Sequence, residues 1–578
     1  MTMDHLTFIS DRNILIFLIQ ILCILVTAKI LAIPLRRAGL PVFPAEMLAG
    51  VFLGPTVLGQ FFPELFHSIF PPDKFQHFML DTVGWLGILF VLLVSGMEVN
   101  LRSAWIQRKK VAVSAAYSFF LPVLGGIAVA FLIPAPHLLL KDSELFSRIL
   151  LGTLIGVVAM PVTLRMLKDL KIFHSDFGVL SLSALSLSDL MGWVVVTVIL
   201  GTLTAVDHGL GIFIREFLLV LGLSVGTLAV AYLGTKKLSI GKMVFLRGAS
   251  GEGLGFMILM GVVMGILSIL IGVHALFGFF LGGLAVGATG IVKESTREKT
   301  EAMMESTFVP IFFAGIGLRF HMIQEFDWFL FLIFTLAPLV LRFVGAWVAA
   351  KRIHVTPGNI SIFALLNTPG GELHVVAAIL AYDGGLISQE ILVALIFGTL
   401  VSSLVSAPLA GMILSRKKRL NIEEYLSIQG ILLHPLSSYK DGLLDELAVL
   451  AAGLVPLSTG EIRTLVNRRE ELSSTAMGRE MAFPHARVPG LPKPQILIAR
   501  LKDGVADWES LDGRPPKLVF LLLTPAEPED LQLGILRTLI QAFESPEMRA
   551  SLLSKETPES FLHEVIGRVE ASQLTGRS

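Results

Sequence analysis

The sequence contains a single cysteine, Cys23, which lies within the first apolar run. One cysteine can form no internal disulfide and no cysteine cluster for a metal. Only 16% of the residues are charged and the formal net charge is zero, so nothing points to a nucleic-acid partner. The N-terminus lacks a basic stretch followed by a small-residue cleavage site. We therefore expect the first apolar run to be a retained membrane helix.

Apolar residues make up 54% of the chain and are unevenly distributed. Residues 1–415 hold nearly all of the long apolar runs, whereas the remainder has the composition of a soluble domain. The sequence therefore predicts a polytopic α-helical membrane domain at 1–415, a basic linker at 416–423 and a soluble α/β sandwich domain at 424–573. The cluster Arg416-Lys417-Lys418-Arg419 marks the boundary.

The membrane domain contains thirteen apolar segments, several of them short or interrupted by Gly and Pro. They span residues 13–33, 43–59, 82–98, 111–133, 149–168, 179–203, 213–233, 252–271, 274–289, 308–320, 327–350, 359–381 and 389–414. Lys and Arg are concentrated in the loops that follow odd-numbered segments, which the positive-inside rule assigns to the cytoplasm. This predicts about thirteen spanning helices, an N-terminus outside and a C-terminal domain in the cytoplasm.

The sixth segment carries an acid near its middle. Leu180–Leu200 read LSLSALSLSDLMGWVVVTVIL, and Asp189 is their one ionisable residue. A carboxylate at membrane depth costs roughly 2.5–3.5 kcal/mol on insertion scales, which makes it a functional candidate. The alternative is a structural Asp that is hydrogen-bonded to Ser183, Ser186 or Ser188. We predict that Asp189 alternately binds a proton and a small monovalent cation.

Two other segments contain predicted breaks. Met160-Pro161-Val162-Thr163 interrupts the fifth segment, and Thr368-Pro369-Gly370-Gly371-Glu372 interrupts the twelfth. Proline removes a backbone donor, and unwound backbone at membrane depth persists only where protein or a water-filled cavity satisfies it. Freed carbonyls and half-helix dipoles form cation sites in transporters with inverted repeats. A simple proline kink is the alternative, but the seven-segment separation favours inverted repeats.

Seven stretches, in order, resemble monovalent cation:proton antiporters of the second cation/proton antiporter family. They are AEMLAGVFLGPTVLG (45–59), LGILFVLLVSGMEVNL (86–101), PVTLRMLKDL (161–170), LSLSDLMGW (185–193), GVHALFGFFLGGLAVG (272–287), VPIFFAGIGLRF (309–320) and TPGGELHVVAAI (368–379). The resemblance covers nearly the whole membrane domain. It implies a homodimer in which each protomer has a scaffold domain and a six-helix core domain with inverted repeats and crossed, broken helices.

The resemblance also assigns a role to Asp189, which matches the family's ion-binding carboxylate. Electrogenic members place a second acid immediately before it, where this chain has Ser188. Those members also carry a Lys on the tenth segment, whereas Phe308–Leu318 contain no Lys or Arg. The resemblance therefore implies electroneutral exchange of Na⁺ or K⁺ for H⁺.

Competition for one site gives the mechanism. A carboxylate held away from water favours its protonated form, whereas a bound cation favours the ionised form. The predicted oxygen ligands of the Na⁺ or K⁺ at Asp189 are Thr163, the Met160 carbonyl and Ser188. Competition combined with rocking of the core produces antiport without ATP or a cofactor.

Glu372 and Arg342 are charges at predicted membrane depth. Glu372 matches the acid of a family Gly-Glu motif, which implies a structural ion-pair role, and Arg342 is its predicted partner. The Arg that usually accompanies this motif is Gly370 or Gly371 here, which leaves the pairing open.

The C-terminal part, from about residue 424 to 573, resembles type-2 EIIA domains of the phosphotransferase system, the mannitol/fructose class. The matching stretches are REELSSTAMGREMAFPHAR (469–487) and LKDGVADWESLDGRPPKLVFLLLTPAE (501–527). The predicted elements are helices 440–453, 460–471, 529–544 and 558–570 and strands near 494–502 and 517–523.

In that class the His of the PHAR motif accepts a phosphoryl group, and here it is His485. Arg487 would help to neutralise the phosphate. A second family His is replaced by Asp530, whose charge would repel a phosphohistidine. His485 is therefore predicted either to accept phosphate from a phosphotransfer partner or to contact a small ligand, in a domain that regulates transport.

Two further functions remain open at this point. One is a ligand-gated potassium efflux system on the same fold. The other is a phosphotransferase sugar permease, which needs a phosphorylatable cysteine that the lone Cys23 does not supply. The favoured prediction is a transporter rather than an enzyme, lying in the lipid bilayer of a bacterial cytoplasmic (inner) membrane and serving pH homeostasis.

Overall fold

The computed structural model describes residues 10–37, 40, 42–99, 101–138, 144–158, 160–170, 172–173, 175–204, 210–236, 250–289, 292, 294–415, 422–510, 512–526 and 529–575. The predicted linker cluster Arg416–Arg419 lies outside these residues. So do the side chains of Glu372 and Asp530, although the backbone of both residues is helical.

Helices occupy each of the thirteen predicted apolar segments. Among the described residues, nine helices are long and apolar enough to cross a membrane, so the number of spans stays a prediction. The long unbroken helices are Asp11–Arg37, Lys74–Met97, Arg108–Ala130, Asp176–Thr204, Leu210–Lys236, Ser250–Leu270, Trp328–Arg352 and Gln389–Ser415. Ala275–Thr289 is a shorter unbroken helix of 15 residues.

The second and tenth segments are less regular. The second forms a short helix, Phe43–Leu53. The tenth runs from Glu294 to Arg319, longer than predicted, as the α-helices Glu294–Met303 and Val309–Arg319 joined by a π-helical turn, Met304–Phe308.

The fifth segment is broken, but not where the sequence predicted. Its two half-helices are Glu144–Gly156 and Met160–Asp169, so Met160 to Thr163 form the first turn of the second half-helix. The predicted break at these four residues was therefore wrong by one turn. Pro161 is the second residue of its half-helix. Backbone N–H groups in the first turn have no acceptor within the helix, so the missing N–H of proline costs no helical hydrogen bond there.

The twelfth segment is broken as predicted. Its half-helices are Pro357–Leu366 and Glu372–Asp383, with unwound backbone from Asn367 to Gly371. This backbone is satisfied by the last membrane helix, because the Gly370 amide donates to Ser402 Oγ at 3.2 Å and Ser403 Oγ donates to the Gly370 carbonyl at 2.8 Å. Such satisfaction is the condition for irregular backbone at membrane depth.

The C-terminal domain is built on a six-stranded mixed sheet. Its strands are β1 (Leu426–Leu432), β2 (Ala476–Gly478), β3 (Met481–Ala482), β4 (His485–Val488), β5 (Gln495–Arg500) and β6 (Leu518–Pro525). Across the sheet, the strand order is β1-β5-β6-β3-β2. Strand β4 also pairs with β6, further along β6 than β3 does.

Helices cover both faces of this sheet. Alternate residues of β5 point to opposite faces, so that Leu497 packs with the helices Lys440–Ala452 and Thr459–Glu470. Ile496 packs instead with the helices Glu529–Ala542 and Pro558–Thr575. The α/β sandwich agrees with the prediction, while the short strands β1 to β4 and the helix Pro546–Leu553 were not predicted.

Candidate functional site

Asp189 lies on the face of its helix that packs against the break in the fifth segment. Two residues one turn away on either side fix this orientation. The Ser186 hydroxyl donates to the Met160 sulfur at 3.3 Å, and a Cβ added to Gly192 would lie 3.0 Å from a methyl group of Val157. The carboxylate between them therefore faces the gap between the two half-helices.

The Asp189 carboxylate is only 3% exposed, and its Oδ1 has no hydrogen-bond partner among the described residues. The nearby serines bond elsewhere: Ser186 Oγ donates to the Leu182 carbonyl at 2.8 Å and Ser188 Oγ to the Ala115 carbonyl at 3.4 Å. Buried polar atoms are almost always paired. An acceptor left without a donor in a protein interior fits a site whose partner is a proton or a cation.

The two broken segments touch at Thr163. Its hydroxyl donates to the carbonyl oxygen of Leu366 at 2.5 Å, and Leu366 is the last residue of the half-helix Pro357–Leu366. The N-terminal turn of one half-helix therefore meets the C-terminal end of another. Opposite ends of helix dipoles come together here, as expected for a crossing of two broken helices.

Asn367 is a residue at this crossing that the sequence analysis missed. It follows Leu366 directly, its Nδ2 donates to the Phe363 carbonyl at 2.9 Å, and its Oδ1 is buried without a hydrogen-bond partner in the described structure. The sequence signal that could have identified Asn367 was an amide side chain immediately before the Thr-Pro-Gly-Gly break.

Arg342 connects both breaks from the eleventh segment. Its Nε donates to the Ile155 carbonyl at 2.8 Å and its Nη2 to the Leu154 carbonyl at 3.1 Å, at the end of the half-helix Glu144–Gly156. Its Nη1 donates to the Thr368 carbonyl at 3.3 Å. A cation at a helix C-terminus satisfies carbonyls that have no helical donor.

Arg342 also contacts the imidazole of His374, with Nη2 lying 2.9 Å from Nε2. Its predicted partner Glu372 has a side chain outside the described part of the structure, so their ion pair stays a prediction. The described contacts of Arg342 are with backbone carbonyls and with His374.

In the C-terminal domain, His485 is buried on β4, and both of its ring nitrogens have partners. Nδ1 lies 2.8 Å from the Phe483 carbonyl, and Nε2 lies 2.8 Å from Arg469 Nε. A carbonyl only accepts and a guanidinium only donates, so Nδ1 carries the proton and the Nε2 lone pair faces Arg469. In this arrangement the nitrogen that would attack a phosphoryl group is already engaged.

The structure brings Arg487 to the same face of β4 as His485, two residues along the strand. Arg487 Nε donates to Gln532 Oε1 at 2.9 Å. Arg469 is a further member of this cluster that sequence reasoning missed, although it opens the stretch that carries the EIIA resemblance.

Two family models match the chain. A model described as "Sodium/hydrogen exchanger, transmembrane" matches residues 22–416. A model described as "Phosphoenolpyruvate-dependent sugar phosphotransferase system, EIIA 2" matches residues 424–566. Neither match favours the potassium efflux system or the sugar permease.

Relatives that are named as antiporters agree with the match to the sodium/hydrogen exchanger model. The chain is 24% identical over 409 residues to "Na(+)/H(+) antiporter NhaS4" of Synechocystis, covering 69% of this chain and 97% of that protein. It is 24% identical over 495 residues to "K(+)/H(+) antiporter 1" of Saccharomyces cerevisiae, covering 80% of this chain and 54% of that protein. The chain thus spans about half the length of the yeast relative.

A solved structure shows the same membrane fold. The sodium proton antiporter MjNhaP1 from Methanocaldococcus jannaschii superposes with a TM-score of 0.52 at 17% sequence identity, covering 69% of this chain and 98% of that one. The predicted helical membrane fold with an additional α/β domain is confirmed.

Proposed function

The chain belongs to the sodium/hydrogen exchanger family, and from this premise we propose that it exchanges a monovalent cation, Na⁺ or K⁺, for protons. The observation that carries the proposal is the buried Asp189 carboxylate, whose Oδ1 lacks a hydrogen-bond partner in the described structure and which faces the broken fifth segment. One carboxylate can hold a proton or a cation, but a bound cation requires the ionised form.

Oxygen atoms near the crossing complete the proposed cation site. Thr163 and the Met160 carbonyl belong to the first turn after the break, and Asn367 Oδ1 belongs to the neighbouring break. Ser188 joins this set only if its hydroxyl leaves the Ala115 carbonyl. Oxygen ligands suit both Na⁺ and K⁺, and an exchange driven by competition at one site needs no ATP and no cofactor.

The exchange is proposed to be electroneutral. Replacing one proton by one monovalent cation on one carboxylate moves no net charge. Ser188 stands where electrogenic relatives would have a second acid, and the only basic residue in Val309–Arg319 is Arg319, which pairs with Asp81 at 2.8 Å. Nothing on that helix therefore competes with the cation for Asp189.

We further propose that the protein lies in a bacterial cytoplasmic membrane as a homodimer, with the N-terminus outside and the C-terminal domain in the cytoplasm. The even-numbered segments that start at Arg108, Asp176 and Pro357 all begin beside the C-terminal domain. This agrees with the Lys and Arg pattern of the loops. The EIIA-like domain is proposed to regulate exchange.

Proton flux into proteoliposomes, followed with a pH-sensitive dye after addition of Na⁺ or K⁺, tests the function. Asp189→Asn should abolish cation-dependent flux, because the amide can neither release a proton nor carry a charge. The control is Glu216→Gln, which neutralises another buried acid on a different membrane helix, Leu210–Lys236. Full exchange by Asp189→Asn would contradict the site, and a rate that depends on membrane potential would contradict electroneutrality.

A further inference from the structure

A cavity of about 170 Å³ lies between the C-terminal domain and the ends of the membrane helices that face it. This interdomain cavity is lined by residues from both domains, with Lys110, Ser175 and Asn359 on one side and Arg487 and Gln532 on the other. Its volume is close to that of the ~150 Å³ cavity known to hold a benzene-sized molecule. It can therefore hold a small ligand rather than only one water.

Apolar side chains line the cavity on the side of the C-terminal domain. Leu533 is 3% exposed and packs into the hydrophobic core cluster of the membrane domain. Leu472 and Leu533 also line the cavity together with Phe177 and Leu180. The domain is thus docked on the membrane helices through a face that includes the surroundings of Arg487.

Basic side chains line the cavity. Lys110 and Arg487 line it, and among the described residues no Asp or Glu does. Two long helices and one half-helix also begin at its wall: Arg108–Ala130, whose N-cap Gln107 makes no side-chain capping bond, Asp176–Thr204 and the half-helix Pro357–Leu366. Each helix N-terminus places a partial positive charge beside the space, although in Asp176–Thr204 the Gly178 amide already donates to Ser175 Oγ at 3.0 Å.

An unused donor points to an acceptor ligand. Gln532 is 3% exposed and lines the cavity. Its Oε1 accepts from Arg487 Nε at 2.9 Å, which fixes the amide orientation because a guanidinium can only donate. Its Nε2 is then left buried without a hydrogen-bond partner in the described structure. A buried N–H₂ in this position is satisfied by an oxygen acceptor.

We propose that the interdomain cavity binds a phosphate-class oxyanion, either inorganic phosphate or a small phosphomonoester. The anion accepts hydrogen bonds from Gln532 Nε2 and from Lys110, and its charge is balanced by Arg487 and the three helix N-termini. The ligand contacts both domains, so the site is complete only while the C-terminal domain is docked. Binding therefore stabilises the docked arrangement.

The site also connects to the transport helix. Phe177 and Leu180 line the cavity and belong to the helix that carries Asp189, at distances of roughly 18 Å and 14 Å along its axis from that residue. This inference rests on the proposed regulatory role of the C-terminal domain and names the ligand class for it.

Isothermal titration calorimetry of the purified full chain tests the proposal without measuring transport. Inorganic phosphate and methyl phosphate are titrated separately, with chloride as the reference anion. Lys110→Gln from the membrane domain and Gln532→Met from the C-terminal domain should each weaken phosphate binding roughly tenfold. Lys109→Gln is the matched control, since both lysines are exposed but only Lys110 lines the cavity.

The two titrants distinguish the sources, because the tighter of them identifies free phosphate or a phosphomonoester as the ligand. Hydrogen exchange near Leu472 and Leu533 should slow when the anion is added, and Arg487→Gln replaces Gln532→Met if that variant does not fold. Absence of saturable binding of both titrants at millimolar concentration overturns the proposal. Equal affinity in all variants overturns it as well, and neither result affects the assignment of cation exchange to Asp189.

Discussion

Arg342 Nε donates to the carbonyl oxygen of Ile155 at 2.8 Å. The same guanidinium reaches the Thr368 carbonyl at 3.3 Å, so one buried cation joins the break in the fifth segment to the break in the twelfth. A planar fork with five donors can serve two helix breaks at once, which a single ammonium group cannot do. The geometry of the crossing beside Asp189 therefore depends on a side chain from a third helix.

Replacing this side chain should destabilise the membrane domain. Arg342→Met leaves the Ile155, Leu154 and Thr368 carbonyls without their donor, and each lost hydrogen bond to a charged group costs about 1.5–3 kcal/mol. Arg342→Lys should recover only part of this loss. We expect the thermal midpoint of the purified protein to fall in the order wild type, Lys variant, Met variant, with exchange lost in the Met variant.

The control is Arg352→Lys, because Arg352 is exposed at the end of the same helix. It should leave the thermal midpoint within experimental error. An Arg342→Met variant as stable as the wild-type protein would mean that the carbonyls find other donors.

Thr163→Val tests the contact between the broken segments. Valine keeps the branched shape but loses the hydroxyl that donates to the Leu366 carbonyl at 2.5 Å and that is proposed to bind the cation. We expect the KM for the cation to rise by up to about tenfold, with a smaller change in the maximal rate. The measurement is cation-dependent proton flux in proteoliposomes over a range of cation concentrations.

Thr153→Val is the matched control. Thr153 is buried in the other half of the same segment, and its hydroxyl bonds to the Ile149 carbonyl of its own helix at 2.8 Å. Loss of that local bond should leave the KM unchanged. If both variants raised the KM equally, the effect would come from general loosening of the segment.

The sequence predicted the membrane elements well because apolar runs and charge placement directly reflect the bilayer. The predicted family and the transporter class are confirmed by the match to residues 22–416. The position of the break before Met160 was not predictable, since Pro161 is equally compatible with a break and with the first turn of a helix. The role of each site residue stays a prediction.

Contacts between distant segments could not be derived from the sequence. Arg342 bonds to the Ile155 and Leu154 carbonyls, which lie nearly 190 residues away in the chain, and a backbone acceptor has no residue-type signal, whereas its pairing with Glu372 stays a prediction. In the C-terminal domain, β3 has two residues and β2 three. Strands this short are defined by their partners rather than by a local alternation pattern.

Gly283→Ala should disrupt the packing of two membrane helices. A Cβ on Gly283 would overlap the carbonyl oxygen of Leu93 on the neighbouring helix Lys74–Met97. Backbone atoms cannot move aside as a flexible side chain can, so the two helices must separate. We expect the variant to be less stable by roughly 1–3 kcal/mol, observed as a lower thermal midpoint of the purified protein.

Gly222→Ala is the matched control for this substitution. A Cβ there meets nothing within 4 Å, and Gly222 lies inside the helix Leu210–Lys236. Alanine is favoured over glycine in helices by about 0.8–1 kcal/mol, so this variant should be equally or slightly more stable. A Gly283→Ala variant that matches it would show that the helices can separate at no cost.

The stability of the C-terminal domain should depend on pH through Glu470. Burial alone raises the pKa of this carboxyl, but Lys440, at 3.0 Å, and hydrogen bonds from Thr475 outweigh it and hold the pKa below its usual value. A lowered pKa contributes stability that is present above the unfolded-state value of about 4.3 and is lost as pH falls through the folded-state value. Lys440→Gln removes the cation and should cost about 1.5–3 kcal/mol at neutral pH.

Hydrogen exchange of the helix Thr459–Glu470 within the full chain measures this effect, after correction for the intrinsic pH dependence of exchange. The difference between Lys440→Gln and the wild-type protein should be largest near neutral pH. It should shrink below about pH 4, where protonated Glu470 no longer needs the cation. Lys502→Gln removes an exposed lysine of the same domain and should behave as wild type. A difference that is constant from neutral to acidic pH would mean that Lys440 acts through packing on Trp508, 5.4 Å from its amine, rather than through the charge of Glu470.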